Sequence, residues 1–468
     1  MKIKLLIILL AVSVQFIYGQ SKSEKIDELL SMLHNQEQIN GSVLIAEKGK
    51  IIFKKSYGLA NEETKKVLDE NSIFELASVS KQFTAMGIVI LKERGKLSYD
   101  DKITKFLPEL EEFKNVSVRN LLNHTSGIPD YFGRKIMSLL DNTKINNNQD
   151  VIEIFRKNSI KLAFEPNTKY EYCNTNYLLL ASIIEKVSGQ RFVDFLQKSI
   201  FNPLKMKNTF VYTRRLAPRK IPNYAFGYTY ISDLKKKILP DNFDYFKFVV
   251  YLDGIVGDGN ISSTVNDLLK WDRALYKNKL ISKESLKELF TPANLPDGKP
   301  SNYSFGWFPE KNKDYGEIVS HTGAFPGYKT FIERHLTSDK TIIILQNFDT
   351  AVLPRKNIRE ILYDQPLTKV FRKQVKISPQ ILAKYVGEYK DKSDEKNIIS
   401  ITQEDNWLIY NSTNQKWNLR FYPESNTSFF PKVGPPNLQI EFVTEEGGAS
   451  IIRLYQNGKV ITEGVKVK

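Results

Sequence analysis

The sequence predicts an α+β protein in which helices flank an antiparallel sheet of about five strands, followed by a smaller all-β region. Near the N-terminus, an amphipathic helix at 25–33 precedes two strands, 42–46 and 51–57, joined by a turn at Lys48-Gly49. Strand patterns return much later in the chain, at 303–308, 318–321, 328–336 and 341–346. We expect these late strands to complete the sheet that the early hairpin begins.

Between the hairpin and the late strands, the sequence predicts an all-helical region. An apolar helical run begins at Ser78 and ends at Gly95, and further helices are predicted at 118–122, 177–187, 191–201 and 268–275. Residues 213–248 are basic and aromatic without clear periodicity, so we expect a long loop that lines a cleft. A last helix is predicted at 354–363, and a basic linker at 366–377 follows it.

Composition bounds the class of protein. The chain has 468 residues, of which 41% are hydrophobic, and this is enough for two domains. Its formal net charge of +15 comes from 68 Lys plus Arg against 53 Asp plus Glu. The basic residues are scattered among acidic ones and form no tract, which argues against a nucleic-acid partner. Because Cys173 is the single cysteine, the chain can form no internal disulfide.

The first residues predict export. Lys2 and Lys4 precede an uncharged run that ends at Gly19, a pattern typical of a secretory signal peptide at residues 1–19. The alternative is an uncleaved membrane anchor, but Ser13 and Gln15 interrupt a run that is already short for a bilayer span. We therefore expect a periplasmic or secreted protein without a stable membrane anchor.

One short motif predicts a nucleophile. Ser78 and Lys81 stand three residues apart at the start of the apolar helix, where side chains at this spacing share a face. A lysine beside a serine hydroxyl at a helix N-terminus is typical of an activated serine. The same S-x-x-K spacing occurs at 232–235 and 393–396, in polar segments without a helix to orient them. We therefore favour Ser78 as the nucleophile.

Two further motifs follow downstream, Tyr172-Cys173-Asn174 and His321-Thr322-Gly323. Together with Ser78 and Lys81 they resemble the serine hydrolases of the class C β-lactamase and low-molecular-weight penicillin-binding-protein family. The resemblance implies a β-lactamase/transpeptidase-like domain at 20–365. The tail at 378–468 opens with a segment at 385–389 that is similar to the small β-barrel appended to many of these hydrolases.

The resemblance also implies roles for individual residues. Tyr172 would shuttle a proton between Ser78 and Lys81, and the Asn174 amide would contact the substrate. The backbone amides of Ser78 and Ala324 would form the oxyanion hole. A further histidine, His124, lies in a Ser-Gly-Ile-Pro loop, and we expect it to fix that loop by hydrogen bonds.

His321 departs from the commonest family pattern, which has lysine at this place. Members with histidine belong to the D-peptidase and esterase-like branches. We expect His321, Thr322 and Gly323 to contact the substrate, with Gly323 allowing close backbone approach. An unperturbed histidine changes charge near pH ~6.5, so a substrate-facing His321 predicts selectivity for carboxylates that rises as pH falls.

The expected function is an exported serine hydrolase that cleaves an ester or amide, such as a D-amino-acid peptide or a small acyl ester. One alternative is a β-lactamase or DD-carboxypeptidase that acts on β-lactams or peptidoglycan. Another is an inactive sensor that binds a ligand in the cleft. The expected partner is a small-molecule or peptide substrate, with cell-wall material as one source. We expect no cofactor and no metal, because the histidines His34, His124, His321 and His335 are dispersed.

Overall fold

The computed structural model describes residues 20–231, 234, 236–367, 374–414, 418–432, 438–444, 450–456 and 458–467. The predicted signal peptide therefore lies outside the described residues. The same holds for Ser232 and Lys235 of one competing S-x-x-K motif, and for residues 368–373 of the predicted linker.

Helices occupy most of the segments in which the sequence predicts them. Their bounds are α1 Lys22–Asn35, α2 Lys81–Glu93, α3 Val118–Leu122, α4 Arg134–Met137, α5 Asn148–Lys157, α6 Asn174–Ser188, α7 Phe192–Leu196, α8 Phe248–Tyr251, α9 Val265–Tyr276, α10 Lys283–Leu289, α11 Arg355–Leu362 and α12 Pro379–Tyr385. A π-helical segment, Gln197–Phe201, continues α7.

Strands fall into a central sheet, small ribbons and a barrel. Their bounds are β1 Gly41–Glu47, β2 Lys50–Tyr57, β3 Leu59–Asn61, β4 Lys66–Val67, β5 Phe74–Glu75, β6 Phe210–Val211, β7 Thr229–Ile231, β8 Lys236–Ile238, β9 Ile261–Ser263, β10 Phe308–Asn312, β11 Gly316–Phe325, β12 Tyr328–His335, β13 Lys340–Gln346, β14 Gly387–Asp391, β15 Ile398–Glu404, β16 Trp407–Ser412, β17 Leu419–Pro423, β18 Ser428–Pro431, β19 Leu438–Thr444, β20 Ser450–Gln456 and β21 Lys459–Lys466.

The central sheet confirms the predicted α+β class, with six strands in the order β10-β11-β12-β13-β1-β2. The early hairpin joins the late strands because β1 pairs antiparallel with β13, Gly41 lying opposite Gln346. The strand predicted at 303–308 is wrong. The Ser304 amide donates to the Trp307 carbonyl at 2.9 Å, and Gly306 has φ +82°, so this segment is a turn and β10 begins only at Phe308.

The two faces of the sheet are covered by different layers. On one face, α1 and α11 pack their apolar residues against Val43, Ile45, Ile342 and Ile344. The other face belongs to a larger core that includes α2, α6 and α9. The 3₁₀ turn Ala77–Ser80 packs against β11, and α2 packs against α6. These contacts bring the 3₁₀ turn, β11, α2 and α6 together.

The C-terminal strands form a closed antiparallel barrel from β14 to β21, as the resemblance predicts. Inward and outward residues alternate along each strand, and the interior holds large rings such as Tyr389, Phe421 and Phe429. Leu382 of α12 is also buried in this core. The second competing motif lies here: Ser393 sits in the turn between β14 and β15 and donates its hydroxyl to Asp391 at 2.7 Å. Among the described residues, no helix is long and apolar enough to cross a membrane.

Candidate active site

Ser78 lies on a sharp turn at the mouth of a pocket. Its predecessor, Ala77, has φ +48°, a conformation that is unfavourable for a residue with a Cβ and typical of strained functional turns. Ser78 itself belongs to the 3₁₀ turn Ala77–Ser80, and the α-helix begins only at Lys81. The serine is therefore one turn ahead of the helix in which the sequence places it, and its side chain is half-buried.

Lys81 is fully buried and makes three polar contacts. Its Nζ lies 3.1 Å from Ser78 Oγ, 2.8 Å from Asn174 Oδ1 and 2.8 Å from the backbone oxygen of Asp258. These three acceptors match the three hydrogens of an ammonium group. When the amine is neutral, its lone pair is within reach of the Ser78 hydroxyl proton. Lys81 is thus held in a geometry that suits proton exchange with Ser78.

Tyr172 stands just before α6 and lines the same pocket as Ser78. The Lys81 Nζ lies 5.1 Å from the centre of its ring. The ring also packs against His124, with centroids 4.3 Å apart, and stacks on Phe308 at 6.3 Å. The structure therefore brings together the serine, lysine and tyrosine that the sequence analysis singles out.

Asn174 is the first residue of α6, whereas the sequence predicts it on the preceding loop. Its side-chain oxygen accepts from Lys81, and its Nδ2 donates to Asp130 Oδ2 at 3.0 Å. The backbone amide of Asn174 donates to the same carboxylate oxygen at 3.0 Å, and Asp130 Oδ1 accepts from the Phe132 amide at 3.0 Å. Asp130 thus fixes the orientation of the Asn174 amide.

The sequence analysis did not identify Asp130 as a functional residue. Its position could have indicated such a role, because Asp130 ends the loop 124–130, which lies between the Ser78 and Tyr172 motifs in the sequence. His124 itself is fully buried, and its Nδ1 accepts from the Cys173 amide at 3.2 Å. Burial, reinforced by the nearby Lys81 charge, holds the pKa of His124 well below its usual value. These contacts fit the expected role of fixing the loop.

His321 lies inside β11 and is buried, with 1% of its surface exposed. Its Nδ1 is 2.6 Å from the Thr322 carbonyl oxygen and its Nε2 is 3.0 Å from the Tyr303 hydroxyl. Burial lowers the pKa of His321 to about 3, so the ring is neutral at physiological pH. The structure therefore contradicts the expectation of a substrate-facing histidine that titrates near pH ~6.5.

The two residues after His321 also differ from expectation. Thr322 is exposed on β11 but does not line the pocket. A Cβ added to Gly323 would lie 2.2 Å from the Leu76 carbonyl oxygen and 2.2 Å from Thr330 Oγ1. The close approach of the Leu76 backbone and the Thr330 side chain therefore requires a glycine at this position. Ala324, in contrast, lines the pocket together with Ser78, as an oxyanion-hole pair requires.

The pocket has a volume of about 360 Å³, and its lining is mostly apolar. Five rings line it, contributed by Tyr131, Phe132, Tyr172, Phe248 and Phe325. Phe248 comes from the segment that the sequence predicts to line the cleft. Among the described residues of the lining there is no lysine or arginine.

Two carboxyl groups line the pocket, and the sequence analysis identified neither of them. Asp258 Oδ2 accepts from the Tyr131 hydroxyl at 2.8 Å, and burial raises the pKa of Asp258 against the opposing effect of Lys81. The second carboxyl belongs to Glu75, the last residue of β5. No cluster of histidine, cysteine, aspartate and glutamate suited to a metal ion occurs in the described part of the chain.

A serine that follows a strained residue and contacts a buried lysine, beside an antiparallel sheet covered by helices, defines a serine hydrolase with an S-x-x-K nucleophile. The family model described as Beta-lactamase matches residues 26–364, and the chain belongs to this family.

Known proteins resemble the chain to different extents. Penicillin-binding protein 4* of Bacillus subtilis (strain 168) is 39% identical over 96% of this chain and 100% of its own length. A D-aminopeptidase of Gluconobacter oxydans (strain 621H) is 24% identical over 66% of this chain and 56% of its own length.

Solved structures share the fold. The octameric penicillin-binding protein homologue from Pyrococcus abyssi superimposes with a TM-score of 0.66 at 22% identity, covering 94% of this chain and 99% of that one. D-amino acid amidase from Ochrobactrum anthropi SV3, complexed with L-phenylalanine, gives 0.57 at 25% identity and covers 72% of this chain and 97% of that one.

Proposed function

We propose that this serine hydrolase cleaves amides or esters of D-amino acids and short peptides through an acyl-enzyme on Ser78. The observation that carries the proposal is the 3.1 Å contact between Lys81 Nζ and Ser78 Oγ at the mouth of an aromatic pocket. Two similar proteins named for D-amino acid substrates, an aminopeptidase and an amidase, support the substrate class. The neutral, buried His321 agrees with a site that does not depend on a substrate carboxylate.

The proposed reaction has two steps. Ser78 Oγ attacks the carbonyl carbon while its proton passes to Lys81 or through the Tyr172 hydroxyl, and the amides of Ser78 and Ala324 stabilise the oxyanion. The bond to the leaving group then breaks, and the leaving group takes that proton. Water next attacks the ester carbon, the bond to Ser78 Oγ breaks, and one proton returns to the serine. An acid and the regenerated enzyme remain.

The test is a comparison of matched serine variants. Ser78→Ala should remove hydrolysis of a D-alanine anilide and of a small acyl ester, and should abolish labelling by a fluorophosphonate detected by mass spectrometry. Ser393→Ala is the control, because that serine has the same S-x-x-K spacing but lies in a barrel turn. Full activity or labelling in Ser78→Ala would contradict the proposal, whereas a wild-type protein that neither hydrolyses these substrates nor is labelled would favour the alternative of an inactive ligand-binding sensor.

A second candidate function is acylation by β-lactams. It is favoured by the similarity to penicillin-binding protein 4* over that protein's whole length. A fluorescent penicillin should then label Ser78, and turnover of a chromogenic cephalosporin would distinguish a β-lactamase from a protein that is only acylated. If the penicillin does not label the protein while the D-alanine anilide is cleaved, the first proposal stands alone.

We also propose that the protein is exported. The support is the pattern of Lys2, Lys4 and the uncharged run that ends at Gly19. N-terminal sequencing of the protein recovered from the periplasm or medium should begin near Gln20. A protein that retains Met1 in the cytoplasm would contradict this proposal.

A further inference from the structure

Glu75 is a buried carboxyl that faces the catalytic pocket, and no described residue forms a hydrogen bond with it. It lines the pocket three residues before Ser78, and only 5% of its surface is exposed. Three residues of chain limit the separation of their Cα atoms to about 11 Å. Within the part of the chain that the structure describes, no hydrogen-bond donor contacts the Glu75 carboxyl, although buried carboxyls are normally hydrogen-bonded. A hydrogen-bond donor on the substrate would give the Glu75 carboxyl a partner.

The charges behind Glu75 balance without it. Arg215 pairs with Asp241 at 2.7 Å and with Asp253 at 2.9 Å, and Arg214 pairs with Asp241 at 2.6 Å. Two guanidinium groups therefore face two carboxylates, and all four are mostly buried. Among the described residues, an ionised Glu75 would leave one negative charge at the pocket wall without a cation of its own. Such a charge is costly to bury unless a cation accompanies it.

Two further titratable groups near Glu75 are the hydroxyls of Tyr224 and Tyr328. Burial raises the pKa of both, so both are neutral. Burial likewise raises the pKa of Glu75 to about 7, with Arg215 opposing this effect and Asp253 adding to it. Glu75 therefore changes charge within the physiological range.

The other carboxyl of the pocket differs from Glu75. Asp258 already accepts a hydrogen bond from Tyr131, and the positive charge of Lys81 is close to it. The rings of Phe248 and Phe325 lie in the same pocket as Glu75 and offer faces that attract a cation. With no lysine or arginine among the described lining residues, the pocket is suited to a positively charged group.

We propose that Glu75 is a specificity-determining residue that binds an ammonium group of the substrate in the Ser78 pocket. The proposal rests on the proposed function, because it concerns the same pocket. Bound ammonium and ionised Glu75 form a charge-assisted hydrogen bond, and the carboxyl proton leaves to solvent as the pair forms. Below neutral pH this proton must first be removed, which weakens ammonium binding. Above neutral pH Glu75 is already ionised, so ammonium binding is not weakened in this way.

Two boronic acids of matched shape test this. Boronic acids form a reversible bond to a serine nucleophile, so both compounds use Ser78 as an anchor. One is meta-aminoethylphenylboronic acid, whose alkyl amine stays protonated well below pH ~10. The other is its neutral counterpart, meta-propylphenylboronic acid. The ratio of their inhibition constants for ester hydrolysis isolates the effect of the ammonium, because effects on the boron–serine bond cancel.

In the wild-type protein, the preference for the ammonium compound should rise about tenfold as the pH rises through about 7. Glu75→Gln removes the charge with little change in shape and should abolish this rise. Asp258→Asn is the matched control, because it alters the other carboxyl of the pocket, and it should keep the rise. A thermal melt of each variant verifies the fold, and the wild-type profile tests the proposal even if Glu75→Gln does not fold.

The outcomes separate the two proposals. Inhibition by both compounds with a ratio that is flat with pH would overturn the role of Glu75 and leave the serine mechanism intact. A rise that persists in Glu75→Gln would also overturn it. If neither compound inhibits and Ser78→Ala still hydrolyses the ester, the proposed function itself fails.

Discussion

The two walls of the pocket are built in different ways. On the wall formed by α2 and α6, Lys81 and Asn174 are each held by several hydrogen bonds, and Asp130 anchors Asn174. On the second wall, which contains Glu75, no described residue donates a hydrogen bond to that carboxyl, and apolar rings such as Phe248 line the space. The comparison suggests that the first wall is rigid because it performs the chemistry. The second wall is incomplete because the substrate completes it.

The largest expected effect is on the wall formed by α2 and α6, which we call the chemical wall. Lys81→Met should lower kcat for ester hydrolysis by about a thousandfold or more, because the serine loses the group that exchanges its proton. Lys396→Met, the lysine of the S-x-x-K motif in the barrel, is the matched control and should keep kcat. Steady-state kinetics on one acyl ester measures both. Near-normal kcat in Lys81→Met would show that the hydrogen-bonded wall is not the chemical one.

Asp130→Asn should have a smaller effect on the same wall. The carboxylate accepts three N–H groups, from the Phe132 amide and from the backbone and side chain of Asn174. An asparagine places an NH₂ group against one of these donors, so the Asn174 amide should lose its fixed orientation. We expect kcat/KM to fall about tenfold to a hundredfold. An unchanged kcat/KM, with the melting temperature also unchanged, would mean that this anchoring is not needed.

The sequence predicts the chemical wall far better than the other one. Its main residues lie in short motifs, so their proximity follows from local sequence spacing: Ser78 with Lys81, and Tyr172 with Asn174. Glu75 and Asp258 acquire their environment only through tertiary burial next to segments more than a hundred residues away, such as 214–215 and 241–253 for Glu75. His321 shows the same limit: its motif is local, but its neutral state depends on burial beside Tyr303, which a predicted strand had placed in the sheet.

Burial of His321 gives a prediction on stability. Its pKa is about 3 in the folded protein and ~6.5 when unfolded, so the unfolded chain binds the proton first as pH falls. Stability should therefore decrease from pH ~6.5 towards pH ~3, and His321→Gln should reduce this part of the decrease. In Glu75→Gln, where the charge of Glu75 cannot contribute, selectivity for a free carboxylate over its amide should stay flat with pH. Selectivity that still rises at low pH in this variant would show that His321 reaches the substrate.

His321→Lys sharpens the same point. It would place an ammonium at a position where only 1% of the His321 surface is exposed. The Tyr303 hydroxyl would also lose its acceptor. We expect a loss of stability of about 3 kcal/mol, measured by denaturant unfolding, and no gain of carboxylate selectivity. A stable variant that gains such selectivity would contradict the buried placement.

The smallest expected effect concerns the C-terminal barrel. Among the described residues, the barrel core contains only residues after 376, whereas the cores around the sheet end with Tyr363, so these cores share no apolar side chain. A described contact between them is the bond from Arg420 to the Tyr230 hydroxyl, at the hairpin of β7 and β8. Because the segment after this hairpin continues to Phe248 in the pocket, the barrel is placed to influence the incomplete wall more than the chemical one.

A chain ending at Asp364 should therefore hydrolyse a small acyl ester within about threefold of the full chain, because both the Ser78–Lys81 contact and the sheet are retained. Its preference between the ammonium and neutral boronic acids is the more sensitive readout, since this depends on the segment that the barrel contacts. Arg420→Ala in the full chain is the control for that contact alone. If the shortened protein folds but loses all turnover of the ester, the barrel must support the chemical wall as well, and the contrast between the two walls would not hold.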